Sequence, residues 1–231
     1  MTEIYLMTTE EADRIPEEEC RELFPARMER ADRFRFREDR LRSIGAGFLL
    51  SRVLGVREKD LMYGPHGKPS CPACGKEFSL SHSGELILLA VSDRPVGADI
   101  EKIGEIRRNV ARRVFLPEEL NWMEGDKTLE TERFYRLWTL KESVMKALGR
   151  GFSLSPESFS VLPLLKNGAG RAAGAELQAF SGMTGGYALG VCTAASARRK
   201  TAVPEVRFFG SREETFAREG GYPPAEPVIW K

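Results

Sequence analysis

The pattern of apolar and polar residues along the chain predicts a mixture of short strands and helices. Compact apolar runs predict strands, and apolar residues that recur every three or four positions predict helices. The predicted strands are 4–7, 86–91, 96–101, 159–165, 176–180 and 187–193, and the predicted helices are 44–54, 106–113, 117–123 and 129–148. The last helix has the clearest pattern, and Gly149 and Gly151 mark its end.

The order of these elements suggests two similar halves. A strand, a helix and two strands come first, and helices and three strands follow after a junction near Gly104. We therefore expect an N-terminal subdomain over residues 1–104 and a C-terminal subdomain over residues 105–210. Residues 211–231 are rich in glycine, proline and charge, which predicts a poorly packed tail.

Composition narrows the classes of function. Of the 231 residues, 42% are hydrophobic and 30% are charged, which suits a chain with a sizeable core and a polar surface. Lysine and arginine number 35 against 34 acidic residues, and this balance argues against a general nucleic-acid or membrane-surface binder. No apolar run approaches the length of a membrane span, and the first residues lack the features of a secretory signal. We therefore expect a cytoplasmic protein.

The cysteines offer weak support for a metal or redox site. Cys71 and Cys74 form the one closely spaced pair among the four cysteines. A structural zinc site needs four ligands, and the chain has one such pair and two histidines. A redox pair would need a strand–helix–strand context that the surrounding pattern does not predict. A zinc or redox module centred on this pair is the weakest alternative.

An acidic pair lies on the predicted strand 96–101. Asp99 and Glu101 are two residues apart, so their side chains project from the same face of a strand. Neighbouring carboxylates repel each other and need a cation or a proton between them. Magnesium accepts few protein carboxylates and completes its octahedron with phosphate oxygens and water, so the pair suits a magnesium–diphosphate site. The alternative is a solvated strand face, which is more common for such a pair taken alone.

The predicted helix 129–148 carries charged residues in and beside its apolar stripe. Lys141 falls in the middle of the stripe, while Glu142 and Lys146 lie on its border one turn apart. A lysine in an apolar face is costly unless its ammonium meets an anion. The alternatives are that Lys141 extends its charged end to the surface and that the other two form an exposed pair worth roughly 0.3–0.5 kcal/mol.

Several polar loops suit phosphate binding. Residues 78–84 predict a polar loop before a strand, in which Ser81 and His82 could hydrogen-bond a diphosphate. Lys68 lies in a loop between Gly67 and Pro69. A basic stretch offers three arginines, whose planar guanidinium groups suit phosphates: Arg27, Arg30 and Arg42. The alternatives are a polar turn, an exposed turn and a solvated basic helix.

Taken together, these segments resemble the 4'-phosphopantetheinyl transferase superfamily, in its surfactin-synthetase-activating type. The family signature G-(I/V)-D-(I/V)-E is similar to residues 97–101, where Ala98 replaces the usual branched residue. The second signature, W-(S/T)-x-K-E-(A/S)-x-x-K, matches residues 138–146 in a long and specific way. The resemblance covers about residues 24–193, which is most of the chain.

Two further family motifs resemble the loops at residues 67–69 and 81–83, in the same order along the chain. Ser79 departs from the family pattern, in which an asparagine is common at this position. The resemblance implies an α+β fold with two pseudo-symmetric subdomains, each a small, mostly antiparallel sheet packed with a long helix. It places the active site at their interface, and one chain that holds both halves implies a monomer.

The resemblance also implies a role for each matching residue. The implied magnesium ligands are Asp99, Glu101 and Glu142. The implied catalytic groups are Glu142, Lys146 and His82. The implied coenzyme A contacts are Arg27, Arg30, Arg42, Lys68, Ser81, His82, Lys141 and Lys146. Glu119 falls near a further family acid whose role is left open.

The activity implied is transfer of 4'-phosphopantetheine from coenzyme A to a serine of an apo acyl- or peptidyl-carrier protein. The reaction releases 3',5'-ADP and uses Mg²⁺, with Mn²⁺ as an alternative, and Glu142 takes the serine proton directly or through water. One alternative is a Mg²⁺-dependent phosphohydrolase of nucleotide diphosphates. Another is a non-catalytic coenzyme A-binding module of the same fold.

Carrier proteins tend to be acidic around the target serine, so a basic segment just after the acidic strand is a candidate docking site. This segment contains Arg107, Arg108, Arg112 and Arg113. We expect Phe115 and Leu116 to add apolar contacts to the carrier.

Overall fold

The computed structural model of the protein describes residues 2–195 and 204–209. Its strands are β1 (Glu3–Thr8), β2 (Met62–Tyr63), β3 (Pro69–Ser70), β4 (Glu77–Ser83), β5 (Leu86–Ser92), β6 (Val96–Lys102), β7 (Ala169–Ala172), β8 (Ala175–Thr184), β9 (Tyr187–Ala194) and β10 (Glu205–Phe208). Its α-helices are α1 (Thr9–Asp13), α2 (Glu17–Leu23), α3 (Pro25–Ala31), α4 (Arg37–Leu54), α5 (Arg108–Val114), α6 (Pro117–Glu124), α7 (Glu130–Ala147) and α8 (Leu162–Asn167).

Within the described ranges the strands form two four-stranded sheets and a short hairpin. The first sheet has the order β10-β1-β5-β4, and the second has the order β6-β9-β8-β7. Neighbouring strands are antiparallel throughout, except that β10 runs parallel to β1. The hairpin pairs β2 with β3. Strands β4 and β6 therefore lie at the edges of different sheets.

The first sheet is covered on both faces. Every residue of β5 is buried, and successive side chains alternate between two apolar clusters. Ile87 and Leu89 pack with residues of α4, including Leu49. Leu88 packs instead against the second sheet, where Ile100 of β6 belongs to the same cluster. A continuous apolar run is thus the expected pattern for β5, because neither of its faces meets water.

The second sheet is covered by α7 on its other face. Leu137, Leu140 and Val144 of this helix form a cluster with Ala188 and Cys192 of β9. The layers are therefore α4, first sheet, second sheet and α7. This arrangement confirms the expected α+β fold, in which each mostly antiparallel sheet packs against a long helix.

The division of the chain at residue 104 stays a prediction, as does the pseudo-symmetry of the halves. Strand β6 precedes that boundary, yet it pairs with β9 in the second sheet. The predicted tail, residues 211–231, lies outside the described residues. Among the helices described, none is both long enough and apolar enough to cross a bilayer.

The structure corrects two local predictions. The predicted strand 159–165 is wrong, because Leu162–Asn167 forms helix α8 with Pro163 in its first turn. A short apolar run is compatible with either a buried strand or a buried helix, so its pattern does not decide between them. The predicted loop 78–84 is wrong for most of its length, since residues up to Ser83 belong to strand β4.

Candidate active site

Two glycines allow α7 to lie directly on the second sheet. A Cβ atom added to Gly97 of β6 would overlap the Ser143 carbonyl oxygen and lie 2.9 Å from the Lys146 carbonyl carbon. A Cβ atom added to Gly190 of β9 would lie 2.6 Å from the Thr139 carbonyl oxygen. Because residues two apart share a face of a strand, this close approach puts α7 over the face of β6 that carries the two acids.

Asp99 is the most deeply buried acid of the pair, at 5% exposure. Its Oδ1 atom accepts hydrogen bonds from Lys146 Nζ and Ser81 Oγ, both at 2.7 Å. Its Oδ2 atom is buried and has no hydrogen-bond partner within the described residues. A buried carboxylate oxygen without a partner is costly, so this atom is suited to a cation that enters from outside the chain.

Glu101 is half-buried, and both of its carboxylate oxygens have donors. Ser83 Oγ donates to Oε2 at 2.7 Å, and Trp138 Nε1 donates to Oε1 at 3.3 Å. The acid is therefore held between an edge residue of the first sheet and a residue of α7. The orientation of its carboxylate depends on elements from both halves of the chain.

Glu142 is the acid whose protonation is most perturbed. Burial, followed by the negative charges of Asp99 and Glu101, raises its pKa to about 7, although the ammonium of Lys146 acts in the opposite direction. The charges of Asp99 and Glu101 change the pKa of Glu142, so the three carboxylates lie near one another. The structure therefore brings the three predicted acids into one region.

Lys146 supplies the positive charge of this region. Its ammonium donates to Asp99 Oδ1, to Ser81 Oγ at 3.1 Å and to the Ala98 carbonyl at 3.2 Å. Within the described residues, no three His, Cys, Asp or Glu side chains are grouped as an already formed metal site. The three-ligand set stays a prediction, and the unpartnered oxygen of Asp99 is the feature that fits it.

Lys141 has a different environment from the one predicted. Its side chain is 1% exposed, and its ammonium pairs with Glu119 at 2.8 Å. It also donates to the carbonyls of Pro156 at 2.8 Å and Phe159 at 2.6 Å. The anion that a lysine in an apolar face requires is thus a buried glutamate, and this position argues against the predicted contact with coenzyme A.

Glu119 is fully buried and joins several segments. In addition to the ion pair, its carboxylate accepts hydrogen bonds from the backbone N–H groups of Leu116 at 2.9 Å and Val161 at 2.8 Å. Glu119, whose role the family resemblance left open, therefore anchors the start of α6 and the loop before α8 to α7.

Arg42 and His82 lie beside the acidic region. Arg42 donates to the Gly84 carbonyl at 2.6 Å and pairs with Asp39. Burial, then the charges of Arg42 and Lys146, lower the pKa of His82, even though this residue is exposed at the end of β4. A ring that stays neutral near pH 7 offers one donor and one acceptor nitrogen to a phosphate.

Lys68 reaches β6 from the hairpin loop. Its Nζ atom donates to the Val96 carbonyl at 3.0 Å, and burial lowers its pKa. Its aliphatic chain also lies near Gly149, the residue that follows the end of α7. Lys68 is thus next to the start of β6, the strand that carries the acidic pair.

Arg27 and Arg30 have no contact in the described structure that joins them to the acids. Both lie near Glu58, and the guanidinium of Arg27 stacks on Phe24 at 5.9 Å. Burial lowers the pKa of Arg27, whose Nε atom is buried without a hydrogen-bond partner among the described residues. Their roles as coenzyme A contacts stay predictions.

The structure also bears on two other predictions, which concern Phe115 and the pair of Cys71 and Cys74. Phe115 is 3% exposed and packs edge-on against Phe134, so it is a core residue and the expected apolar contact with a carrier is wrong at this position. Cys71 and Cys74 are free thiols, and Cys74 Sγ lies 3.1 Å from the Cys71 carbonyl oxygen.

Sequence reasoning missed Ser83 and Trp138 as partners of an acid. The signal for Ser83 was the alternation of serine with other residues over 79–83, which has the two-residue period of a strand. Trp138 was assigned to the apolar stripe of the helix, so its indole N–H group was overlooked. The indole N–H of a half-buried tryptophan usually finds a hydrogen-bond acceptor.

Comparison with known proteins confirms the family resemblance for the second half of the described chain. Residues 95–192 match the family model of the 4'-phosphopantetheinyl transferase superfamily. The 4'-phosphopantetheinyl transferase Sfp of Bacillus subtilis is 35% identical over 145 residues, which are 59% of this chain and 65% of the relative. AcpT of Salmonella typhimurium is 40% identical over 106 residues, which are 44% of this chain and 55% of the relative.

The chain thus aligns with somewhat less than two thirds of the length of these relatives. Among solved structures, holo-[acyl-carrier-protein] synthase of Thermotoga maritima has a TM-score of 0.34 and 17% identity, over 43% of this chain and 62% of that chain.

Proposed function

We propose that the protein transfers 4'-phosphopantetheine from coenzyme A to a serine of an apo acyl- or peptidyl-carrier protein, on the basis of the match between residues 95–192 and the family model of the 4'-phosphopantetheinyl transferase superfamily. The released product is 3',5'-ADP. The proposal rests on one observation: the buried, unpartnered Oδ2 atom of Asp99 lies in a region where Glu142 has a pKa of about 7 and Lys146 supplies an ammonium. Location in the cytoplasm and a monomeric state remain predictions.

We propose that Asp99, Glu101 and Glu142 hold a Mg²⁺ ion, with Mn²⁺ as the alternative. The donor set supports this choice, since magnesium prefers carboxylate oxygens and shares its site with phosphates. When bound, the ion would neutralise charge on the diphosphate of coenzyme A. A cation would give Asp99 Oδ2 the partner that it lacks among the described residues. It would also offset the burial and the neighbouring negative charges that together raise the pKa of Glu142.

Glu142 is the proposed base. A serine hydroxyl is a weak nucleophile until a base takes its proton as it attacks. A base is most effective when its pKa is near the working pH, and the pKa of Glu142 is raised to about 7. Glu142 would accept the proton of the carrier serine directly or through a water molecule, while the serine oxygen bonds to the β-phosphorus and 3',5'-ADP leaves.

Lys146 and His82 are proposed to stabilise charge that develops on the leaving phosphate. The three protons of the Lys146 ammonium are directed at Asp99, Ser81 and the Ala98 carbonyl, so its positive charge would act on the phosphate without a further hydrogen bond. His82 lies within electrostatic reach of Lys146 and Arg42. Preorganised donors of this kind act on charge as it forms in the transition state. Arg42 and Lys68 are proposed as further contacts for the phosphates of coenzyme A.

The decisive experiment incubates the purified chain with coenzyme A, Mg²⁺ and a panel of apo acyl- and peptidyl-carrier proteins. Intact mass spectrometry of each carrier then reports whether one phosphopantetheine has been added. We expect a mass gain that disappears when Mg²⁺ is chelated and in the Asp99→Asn variant. Cleavage of coenzyme A without a carrier would support the phosphohydrolase instead, and coenzyme A binding without any reaction would support the non-catalytic module.

A further inference from the structure

The edge of β6 that faces away from its own sheet is closed by side chains of another strand. In an antiparallel strand, the N–H and C=O groups of alternate residues point to opposite sides. The backbone groups of Pro95 and Ile103 form hydrogen bonds toward β9 and the turn before it. The N–H groups of the even-numbered residues of β6 therefore point away from its own sheet. β6 is at the edge of its sheet, so no strand pairs with these outward groups within the described structure.

Three serines of β4 accept these outward N–H groups. Ser79 Oγ accepts from Ala98 at 3.0 Å, Ser81 Oγ from Ile100 at 3.4 Å and Ser83 Oγ from Lys102 at 3.0 Å. The serines are two residues apart, so all three project from one face of β4 and match the repeat of β6. We call these three residues the serine ladder.

Two members of the serine ladder also donate to an acid. Ser81 Oγ donates to Asp99, and Ser83 Oγ donates to Glu101. A hydroxyl that accepts from a fixed backbone N–H and donates to a carboxylate has its own orientation defined by both bonds. Ser83 therefore ties the direction of the Glu101 carboxylate to the backbone of β6, while Trp138 holds the other oxygen.

We propose that Ser83 is a positioning residue, which together with Trp138 fixes the carboxylate of Glu101 for binding a divalent cation. The inference rests on the proposed function, because it presumes that the acids hold such an ion. Groups that orient a metal-binding carboxylate typically alter metal affinity by about 10–100-fold when they are removed.

The test compares Ser83→Ala with Ser79→Ala. Ser79 makes the same kind of backbone contact and has no carboxylate contact in the part of the chain that is described. Ser79 is buried, so its removal leaves the Ala98 N–H group without a partner, whereas Lys102 is exposed and water can replace Ser83 there. The two variants should therefore separate stability from metal binding.

The readouts are Mn²⁺ affinity, from the electron paramagnetic resonance signal of free Mn²⁺, and thermal stability without metal. We expect Ser83→Ala to weaken Mn²⁺ binding by roughly 10-fold or more, with little change in Tm. Ser83→Thr should restore most of the affinity, since it keeps the hydroxyl. Ser79→Ala should lower Tm and retain the Mn²⁺ affinity of the unchanged chain.

A metal-independent readout accompanies these measurements. Hydrogen exchange of the Lys102 amide should accelerate in Ser83→Ala, because its acceptor is lost. If the unchanged chain binds Mn²⁺ and Ser83→Ala binds it equally well, the inference is overturned while the proposed function stands. If both serine variants lose affinity in proportion to Tm, the serine ladder has a structural role alone. If the unchanged chain binds no Mn²⁺ and modifies no carrier, both proposals fail.

Discussion

At the scale of single residues, Glu142 combines a proposed functional role with a cost to stability. We expect Glu142→Gln to lower kcat by about 100-fold or more, the usual contribution of a positioned base. The acidic limb of kcat/KM that Glu142 produces in the unchanged chain should be absent from the residual activity of the variant. Glu124→Gln, which alters an exposed acid of α6, serves as the matched control. Near-normal turnover of a folded Glu142→Gln variant would remove Glu142 as the base.

The raised pKa of Glu142 also predicts how stability depends on pH. The ordinary value for glutamate is 4.5 and the folded value is about 7, so the folded chain binds this proton more tightly than the unfolded chain. The stability contributed by the protonated form is complete below pH 4.5 and is lost as pH rises through about 7. In metal-free buffer, Glu142→Gln should therefore have a higher Tm than the unchanged chain at pH 8, and the difference should shrink toward pH 5. If the difference in Tm between Glu142→Gln and the unchanged chain does not change with pH, the raised pKa of Glu142 is contradicted.

The buried pair of Lys141 and Glu119 predicts a loss of stability without a specific loss of ligand binding. Removal of one partner of a buried ion pair typically costs about 3–5 kcal/mol, because the other charge is left uncompensated. We expect Lys141→Met to lower the free energy of unfolding by that amount in urea titrations. The double variant Lys141→Met/Glu119→Gln should recover part of the loss. If Lys141→Met instead keeps full stability and weakens coenzyme A binding, the lysine is a ligand contact after all.

At the scale of elements, the sequence predicted α7 and β6 well because their patterns are strong. The stripe of α7 is long and ends at glycine, and β6 alternates residues that face two different layers. Strand β4 was missed because its serines resemble a loop, although they serve as partners for a neighbouring strand edge. Helices α1–α3 were missed because they are short and mostly polar, so tertiary packing decides their conformation.

Part of the candidate site was predictable, and part depends on contacts that no local pattern contains. The pairing of Asp99 and Glu101 follows from strand periodicity, and the position of Glu142 and Lys146 follows from helical spacing. The burial of Lys141 against Glu119 joins residues 22 positions apart across two helices, which spacing within one helix cannot reveal. The contact of Ser83 with Glu101 likewise requires knowledge that two sheet edges meet.

The contact between β6 and α7 predicts a strict requirement for glycine. An alanine at position 97 would place its Cβ atom inside the backbone of α7, so the helix must move away from the strand. Such overpacking typically costs about 1–3 kcal/mol, and here it also separates Glu142 from Asp99. We expect Gly97→Ala to lower Tm and to abolish most of the proposed transfer activity.

Gly104→Ala is the matched control for that substitution. A Cβ atom at position 104 would lie 3.5 Å from the Tyr135 hydroxyl, which is an ordinary van der Waals contact. The control should retain both Tm and activity. Full activity in Gly97→Ala would show that α7 can shift without harm to the site.

At the scale of the whole molecule, the two sheets share one apolar interior. Leu88 of the first sheet and Ile100 of the second belong to the same buried cluster. Leu88→Ala should cost about 2–5 kcal/mol, as other large-to-small substitutions in cores do. Because the interior is shared, unfolding should remain a single transition in which circular dichroism and the fluorescence of Trp122 and Trp138 coincide.

This experiment also tests the proposed division of the chain. Both of these tryptophans lie in helices of the second half, whereas Leu88 lies in the first sheet. Trp230, outside the described residues, would be replaced by phenylalanine to remove its signal. If Leu88→Ala shifts the circular dichroism transition and leaves the fluorescence transition unchanged, the halves unfold independently.

The serine ladder has a consequence for how copies of this protein behave at high concentration. An unpaired strand edge is a template on which another polypeptide can add a strand, and such edges promote aggregation. On β6, serine hydroxyl groups accept hydrogen bonds from three of the outward N–H groups, and the ammonium groups of Lys68 and Lys146 donate to the carbonyls of Val96 and Ala98. These contacts, which include the ones that arrange the acids, thus protect a rim that would otherwise be open to self-association.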